Sequence, residues 1–366
     1  MRILLPTPDY PPMTGGIQLL LERLVHHSRF SYEVITPNAP GKSMRVARSA
    51  DITRTPRLAD QRATVAILNA VTVSRATALR PDAVLSGHVV TGPGALAVQA
   101  LLGVPTVQYI YSKELSSRPY MSRLIARRAS ALVAISSHTR LQALALGAPA
   151  AKIHTIPPGV EAPSDPVSQS PLKETGPPTV VTVARLEDRY KGFDVMMRAL
   201  PLIRGRVPDV RWVLIGDGSL RAELEGTARA YGVADCVSFT GALNEEARDG
   251  WLDRADVFAM PSRLMADGTG GEGFGIVYLE AAIHGLPSVA GDAGGGVDAV
   301  IDGETGVTVD AAHHVAVADA IADLLLDSER RARLGKAARA RAEHLSWAHM
   351  AEQVDRLIES VVEAKR

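Results

Sequence analysis

TVVTVARLEDRYKGFDVMMRALPLI, Thr179 to Ile203, holds the unit from which the fold can be read. Thr179–Val183 is a short run of β-branched residues and predicts a buried strand. A polar loop follows, with Arg185 and Lys191 in it, and Phe193–Ile203 then has the periodicity of a helix. The same strand–loop–helix unit extends in both directions. Towards the C-terminus, strands are expected at Arg211–Ile215, Val237–Thr240 and Val257–Met260, with helices at Leu220–Tyr231 and Gly275–His284. A long helical stretch begins at His314 and is interrupted near Leu345–Ser346. Towards the N-terminus, strands are expected at Arg2–Leu5, Glu33–Thr36, Ala83–Leu85, Thr106–Ile110, Ala131–Ile135 and Ile153–Ile156, with helices such as Ile17–His27 and Thr139–Leu146 between them. Strands alternating with helices predict an α/β protein built on parallel sheets covered on both faces.

Between the two series lies EAPSDPVSQSPLKETGPP, Glu161–Pro178, rich in Pro and Ser and without periodicity. It reads as a linker. The expected organisation is a doubly wound, Rossmann-like domain over residues 1–162, a linker over 163–178, a second such domain over 179–345, and a final helix over 346–366. A chain of 366 residues suits two domains of this size. In open α/β sheets ligands bind outside the carboxyl ends of the strands, so the strand-to-helix loops are where chemistry is sought.

Composition narrows the function. Lys plus Arg and Asp plus Glu number 40 each, which argues against a nucleic-acid partner. One cysteine, Cys236, excludes an internal disulfide framework. After Met1 and Arg2 the apolar run stops at Pro6, so no secretory signal is read. Ala83–Ser112 lacks Asp, Glu, Lys and Arg, but Pro93, Pro105 and four glycines divide it into strand, helix and strand. The expected location is the cytoplasm.

The loops carry the candidate chemistry. GEGFGIVYLEA, Gly271–Ala281, places Glu272 before a helix and Glu280 about two turns along it. Gly271, Gly273 and Gly275 clear the helix start, where backbone amides of Gly273 to Ile276 and the helix dipole favour an anion such as a phosphate. Two carboxylates flanking such a site suit the hydroxyls of a nucleotide sugar. Taken singly, the glutamates also read as solvated charges; Glu280, however, sits in an apolar run, where a carboxylate needs partners. Arg185 and Lys191 would stabilise a departing diphosphate, or else belong to a solvated loop. Gly15 and Gly16 precede the first helix and allow close approach of a ligand, though a plain turn reads the same way. They lack the spacing of a dinucleotide fingerprint. IGDGSL with Gly216, TGALNEE with Gly241 and Leu243, and MPSR with Ser262 are further turns that would shape a nucleoside pocket or be turns only. On the N-terminal side the candidates are His88, as catalytic or structural histidine, and YIYSKEL, Tyr109–Leu115, whose Lys113 and Glu114 could line an acceptor pocket.

With these motifs in order, the chain resembles the retaining glycosyltransferases of family 4, which have the GT-B fold. The resemblance rests on GEGFGIVYLEA together with Gly15–Gly16, Arg185, Lys191 and the Gly216–Asp217–Gly218 turn, and covers nearly the whole length. It implies that Glu272 contacts hydroxyls of the donor sugar and that Glu280 binds the ribose. Arg185, Lys191 and amides near Gly16 and Phe274–Ile276 would hold the diphosphate, with Glu272, Arg185, Lys191 and His88 as the catalytic set. It also implies that no metal or other cofactor is needed, and that a last helix around Trp347–Ala364 returns to the first domain. No Asp-x-Asp pair occurs. One position departs: where many relatives carry a histidine after the fourth expected strand, this chain has Tyr111.

YPPMTGGIQ and GIVYLEA are also similar to bacterial phosphatidylinositol mannosyltransferases. That resemblance favours GDP-mannose as donor, UDP-glucose or UDP-N-acetylglucosamine being the alternative. The acceptor is expected to be a lipid or a small molecule. Arg118, Arg123, Arg127 and Arg128, with Tyr120, Met121, Leu124 and Ile125 interleaved, suggest a helix that lies on the inner face of an anionic membrane, or an amphipathic helix with a solvated basic face. Lys42–Arg57, a second basic stretch, is expected to be a loop near the acceptor. An epimerase, a hydrolase or a nucleotide-sugar binding module would share the fold and lack transfer.

Overall fold

The computed structural model describes residues 1–39, 50–161, 176–265 and 270–365. The chain divides into two compact units, Met1–Gly159 with Trp347–Arg366, and Val160–Ser346.

The first unit runs β1 (Arg2–Pro6), α1 (Gly16–His27), β2 (Ser31–Pro37), β3 (Ala50–Thr55), α2 (Gln61–Leu79), β4 (Ala83–Ser86), α3 (Gly92–Leu102), β5 (Thr106–Ile110), α4 (Ser112–Ser117), α5 (Pro119–Arg128), β6 (Ala131–Ala134), α6 (Ser137–Ala145) and β7 (Ile153–Thr155). Its seven strands are parallel, in the order β3-β2-β1-β4-β5-β6-β7. Strands β1, β4 and β5 are buried along nearly their whole length, as apolar runs between helical layers must be. Order reverses at β1, which lies between β2 and β4, so the crevice outside the carboxyl ends of β1 and β4 is the topological switch point.

The second unit runs β8 (Thr179–Val183), α7 (Phe193–Arg206), β9 (Arg211–Ile215), α8 (Arg221–Ala230), β10 (Val237–Gly241), α9 (Glu245–Leu252), β11 (Val257–Met260), α10 (Ile276–Ile283), β12 (Ser288–Gly291), α11 (Gly296–Ala299), β13 (Gly306–Val309), α12 (His314–Leu326) and α13 (Ser328–His344). Its order, β10-β9-β8-β11-β12-β13, is again all parallel and reverses between β8 and β11. The last helix, α14 (Trp347–Glu363), belongs to the first unit and packs on α1. Asp355 fixes it there. Its buried carboxylate accepts from Ser28 Oγ at 2.6 Å and from the Arg29 amide at 3.0 Å. Among the described residues no helix is long and apolar enough to cross a membrane.

Several expectations change. The helical stretch from His314 breaks a second time, at Asp327, whose carboxylate caps α13 by accepting from the Arg330 amide at 2.8 Å. Residues 50–55, expected as loop, form β3; residues 40–49 of the same basic stretch lie outside the described residues. β3 escapes sequence reading because ADITRT is polar and is fully buried only at Thr55. Helix α2 escapes because its Thr and Val content is weak for a helix, though Asp60 caps it by accepting from the Arg62 amide at 2.9 Å. The strand before Tyr111 is therefore the fifth, not the fourth. Most of the expected linker, residues 162–175, lies outside the described residues.

Candidate active site

In the second unit the switch-point crevice collects most of the residues singled out by sequence. Arg185 and Lys191 follow β8, and Ser262 follows β11. Gly192, at φ +80°, starts α7 where a Cβ would overlap the carbonyl of Pro261; a glycine is required for the two loops to meet. Arg263 closes the same junction, donating to both carboxylate oxygens of Asp194 at 2.9 and 3.1 Å. Lys191 Nζ lies 3.2 Å from Glu272 Oε2, and both side chains are nearly buried, at 13% and 12% exposure. A buried ion pair of this kind is held by geometry and is costly to break from one side. Arg185 is 64% exposed, its nearest carboxylate being Asp188 at 3.8 Å, so its guanidinium is open to a ligand.

Glu272 owes its place to a glycine loop that sequence reading missed. The Gly295 amide donates to the Glu272 carbonyl at 2.7 Å, and a Cβ on Gly295 would overlap the carbonyl of Gly273. The repeat GGG at 294–296 was the available signal. Gly275, at φ +87°, turns the chain into α10, and Phe274 and Tyr278 anchor the turn in the core. Tyr278 donates to the Met260 carbonyl, and Ser262 Oγ lies 3.4 Å from its hydroxyl, so Ser262 is buried beneath the crevice rather than lining its surface. The amides of Gly273 to Ile276 stand at the start of α10 beside the Lys191–Glu272 pair.

Glu280 lies further along α10 and has the partner its apolar surroundings demand. Arg248 Nη1, from α9, donates to Glu280 Oε1 at 3.1 Å. Burial raises the Glu280 carboxyl above its ordinary value; Arg248 and His284 oppose this, while Asp249 and Glu245 reinforce it. Arg248 was not singled out by sequence, because an arginine in a polar helix carries no motif. The remaining turns assemble next to α9. The Gly216 amide donates to the Gly241 carbonyl at 2.9 Å, and Gly216, at φ +136°, leaves room for the Ala184 carbonyl. Leu243 is half-buried and precedes Asn244, whose side chain caps α9 by accepting from the Ala247 amide. Residues 266–269 of the segment Leu264–Gly270 lie outside the described residues.

In the first unit, Gly15 and Gly16 begin α1 after β1. A Cβ on Gly15, at φ +157°, would overlap Gln18 Oε1, and Gln18 Nε2 donates to Asp9 Oδ1 at 2.8 Å. His88 follows β4 and uses both ring nitrogens. Nδ1 accepts from the Val90 amide at 3.1 Å, and Nε2 lies 2.6 Å from Glu114 Oε1. An accepting Nδ1 carries no proton, so these partners assign the proton to Nε2. Glu114 is buried, and its other oxygen accepts from the Val89 amide at 3.1 Å. Tyr111 is buried and stacked on Tyr109, ring centroids 5.9 Å apart. Helix α5 separates its apolar residues: Ile125 is in the core and Met121 packs against it, whereas Tyr120, 91% exposed, and Leu124 stand outside with Arg118, Arg123, Arg127 and Arg128.

The chain is similar to known glycosyltransferases in sequence and in fold. The profile described as Glycosyltransferase Family 4 matches residues 15–162, and that described as Glycosyl transferases group 1 matches residues 164–341. A GDP-mannose-dependent alpha-(1-6)-phosphatidylinositol monomannoside mannosyltransferase of Mycolicibacterium smegmatis is 34% identical over 361 residues, covering 92% of each chain. A D-inositol 3-phosphate glycosyltransferase of Xylanimonas cellulosilytica is 35% identical over 217 residues, covering 55% of this chain and 49% of its own. Among solved structures, sucrose-phosphate synthase of Thermosynechococcus elongatus superposes with a TM-score of 0.83 at 20% identity, over 99% of both chains. HepE of Anabaena, in complex with UDP-glucose, superposes at 0.76 and 20% identity, over 98% of this chain and all of its own.

Proposed function

The chain belongs to glycosyltransferase family 4 and is a hexosyltransferase of the GT-B fold, and on that premise we propose that it transfers mannose from GDP-mannose, with retention, to a ring hydroxyl of an inositol-bearing lipid. The observation that carries this reading is the crevice of the second unit, where Glu272 and Glu280 flank one helix start and each holds a cation, Lys191 and Arg248. Two braced carboxylates with backbone amides between them suit a ligand with hydroxyls at both ends and a diphosphate in the middle. The donor and acceptor are taken from the mannosyltransferases that match 92% of the chain.

In the proposed reaction Glu280 accepts from the ribose hydroxyls and Glu272 from those of the mannose. Gly216, Gly241 and Leu243 border the nucleoside. The bond between C1 and the phosphate oxygen breaks, and its electron pair stays on the diphosphate. Lys191, Arg185 and the amides from Gly273 to Ile276 stabilise that charge as it grows, with no metal required. The acceptor oxygen bonds C1 on the face the phosphate leaves, and its proton passes to the leaving phosphate oxygen, giving a retained glycoside and GDP. His88, with both nitrogens engaged, braces the acceptor side and is not a base in this scheme. Helix α5 would rest its arginines, Tyr120 and Leu124 on an anionic bilayer that carries the acceptor.

Thermal unfolding with GDP, UDP, ADP and dTDP side by side tests the donor. A ligand that binds only the folded chain stabilises it by about 2.7 kcal/mol at a hundredfold excess over Kd. A shift with GDP alone is expected. A shift with UDP alone would replace GDP-mannose by a UDP-sugar.

A further inference from the structure

The charged side chains of the second unit do not stop at Glu280 and Arg248. Helix α9 and its C-cap supply Arg248, Asp249 and Asp253, and α10 and its C-cap supply Glu280 and His284. Asp249 and Asp253 are four residues apart, as are Glu280 and His284, so each helix sets its pair on one face. The five side chains form one continuous ladder between the two helices.

The contacts run in order. His284 Nδ1 lies 2.7 Å from Asp253 Oδ1, and an ionised carboxylate only accepts, so Nδ1 carries a proton. Nε2 of the same ring faces Asp249 Oδ1 at 3.8 Å, an electrostatic contact beyond hydrogen-bond distance. Asp249 Oδ1 in turn accepts from Arg248 Nε at 3.0 Å and from Nη2 at 2.9 Å. Arg248 Nη1 is left for Glu280 Oε1, at 3.1 Å. Among the described residues Glu280 Oε2 accepts no hydrogen bond, so it is the oxygen available to a ligand hydroxyl.

This order matters because α9 has little else to place it. Of its residues only Leu252 is buried, so little apolar area fixes how the helix sits beside α10. His284 is the firm end of the ladder: its imidazole is buried, 3% exposed, at the end of a helix that is mostly core. Asp249 is 33% exposed and would turn towards water without the imidazole beside it. A guanidinium holds its donors in a rigid fork, so a turn of the Nε–Nη2 edge carries Nη1 away from Glu280.

We propose that His284 and Asp249 are positioning residues for the donor nucleotide, holding the Arg248 guanidinium, and through it the Glu280 carboxylate, where the ribose hydroxyls bind. The inference rests on the reading above for the place of the ribose at Glu280. It adds two residues that touch no ligand and act only through Arg248.

The test is titration calorimetry on the full chain with GDP and its 2′,3′-dideoxy analogue, and with the same pair of uridine nucleotides in parallel. In His284→Leu, and separately in Asp249→Ala, the nucleotide with both ribose hydroxyls should bind about fivefold more weakly, and the dideoxy analogue less than about twofold more weakly. The double variant should lose no more than the worse single one, because both residues act through one guanidinium. In turnover, donor KM should rise by the same factor with kcat and acceptor KM unchanged. A histidine that serves the fold alone would weaken both nucleotides alike as its melting temperature falls. Asp249→Ala, at a partly exposed helix position, keeps the test open if His284→Leu folds poorly. Equal losses for the two nucleotides, unchanged affinity in Asp249→Ala, or additive losses in the double variant overturn the inference. A wild type that binds ribose and dideoxy forms equally strikes the place of the ribose at Glu280 and the ladder with it. If only the uridine pair binds, GDP-mannose falls as donor, and the same ratio read on that pair decides the ladder.

Discussion

Glu280 shows how far single residues can be read and where the reading stops. Its place in an apolar run predicts burial and hence a partner, and the structure supplies Arg248 from another helix. No spacing in the sequence joins positions 248 and 280, because the two meet only once the fold brings α9 beside α10. The same holds for Asp9, His88 and Glu114, whose cluster is assembled from three separate strand ends. Glycine-flanked Glu272 was legible because its constraint is local. The Arg248–Glu280 pair yields a pH prediction. Burial raises the Glu280 carboxyl, and Arg248 is the largest influence holding it down. In Arg248→Met the group should rise further, so its ionised, hydrogen-bond-accepting form is lost at a higher pH than in the wild type. GDP affinity should fall by roughly tenfold near pH 6, about 1.4 kcal/mol, and less near pH 8. Titration calorimetry at the two values checks this; an equal loss at both would mean that Arg248 acts on the nucleotide directly.

Elements were legible where the pattern is strong and obscure where packing decides. Strands β1, β4, β5, β8, β9 and β11 read as apolar runs because both faces of a parallel sheet are covered. β3 pairs only with β2 at the sheet edge, and its polar, half-exposed sequence hides it. Helix α5 was legible as amphipathic, but which apolar residues face outward was not. Ile125 and Met121 complete the core, leaving Tyr120 and Leu124 among the arginines. The membrane role proposed for α5 belongs to this outer face alone. Arg123→Glu with Arg127→Glu, both exposed, should abolish co-sedimentation with anionic vesicles at low salt and leave GDP affinity as it was. Wild-type protein that fails to pellet with such vesicles would remove the membrane from the account.

At the scale of the whole molecule, the restart of the strand–helix pattern at Thr179 foretold two parallel sheets, and each has its charged cluster at the point where strand order reverses. What the pattern could not supply is the bond that ties the last helix into the first unit. The buried carboxylate of Asp355 joins α14 to the end of α1 across more than three hundred residues of chain. Asp355→Ala leaves the Ser28 hydroxyl and Arg29 amide without that acceptor and should destabilise the first unit by about 2 kcal/mol. Urea unfolding followed by amide exchange in α1 and α14 would register the loss there, and protection in the second unit should stay unchanged.

The central claim is tested most directly by the product. Incubated with GDP-mannose and vesicles containing phosphatidylinositol, the protein should release GDP and form a mannosyl lipid whose anomeric centre, read by NMR, keeps the α configuration of the donor. A β-linked product would contradict the same-face mechanism, and transfer from a UDP-sugar but not from GDP-mannose would contradict the donor.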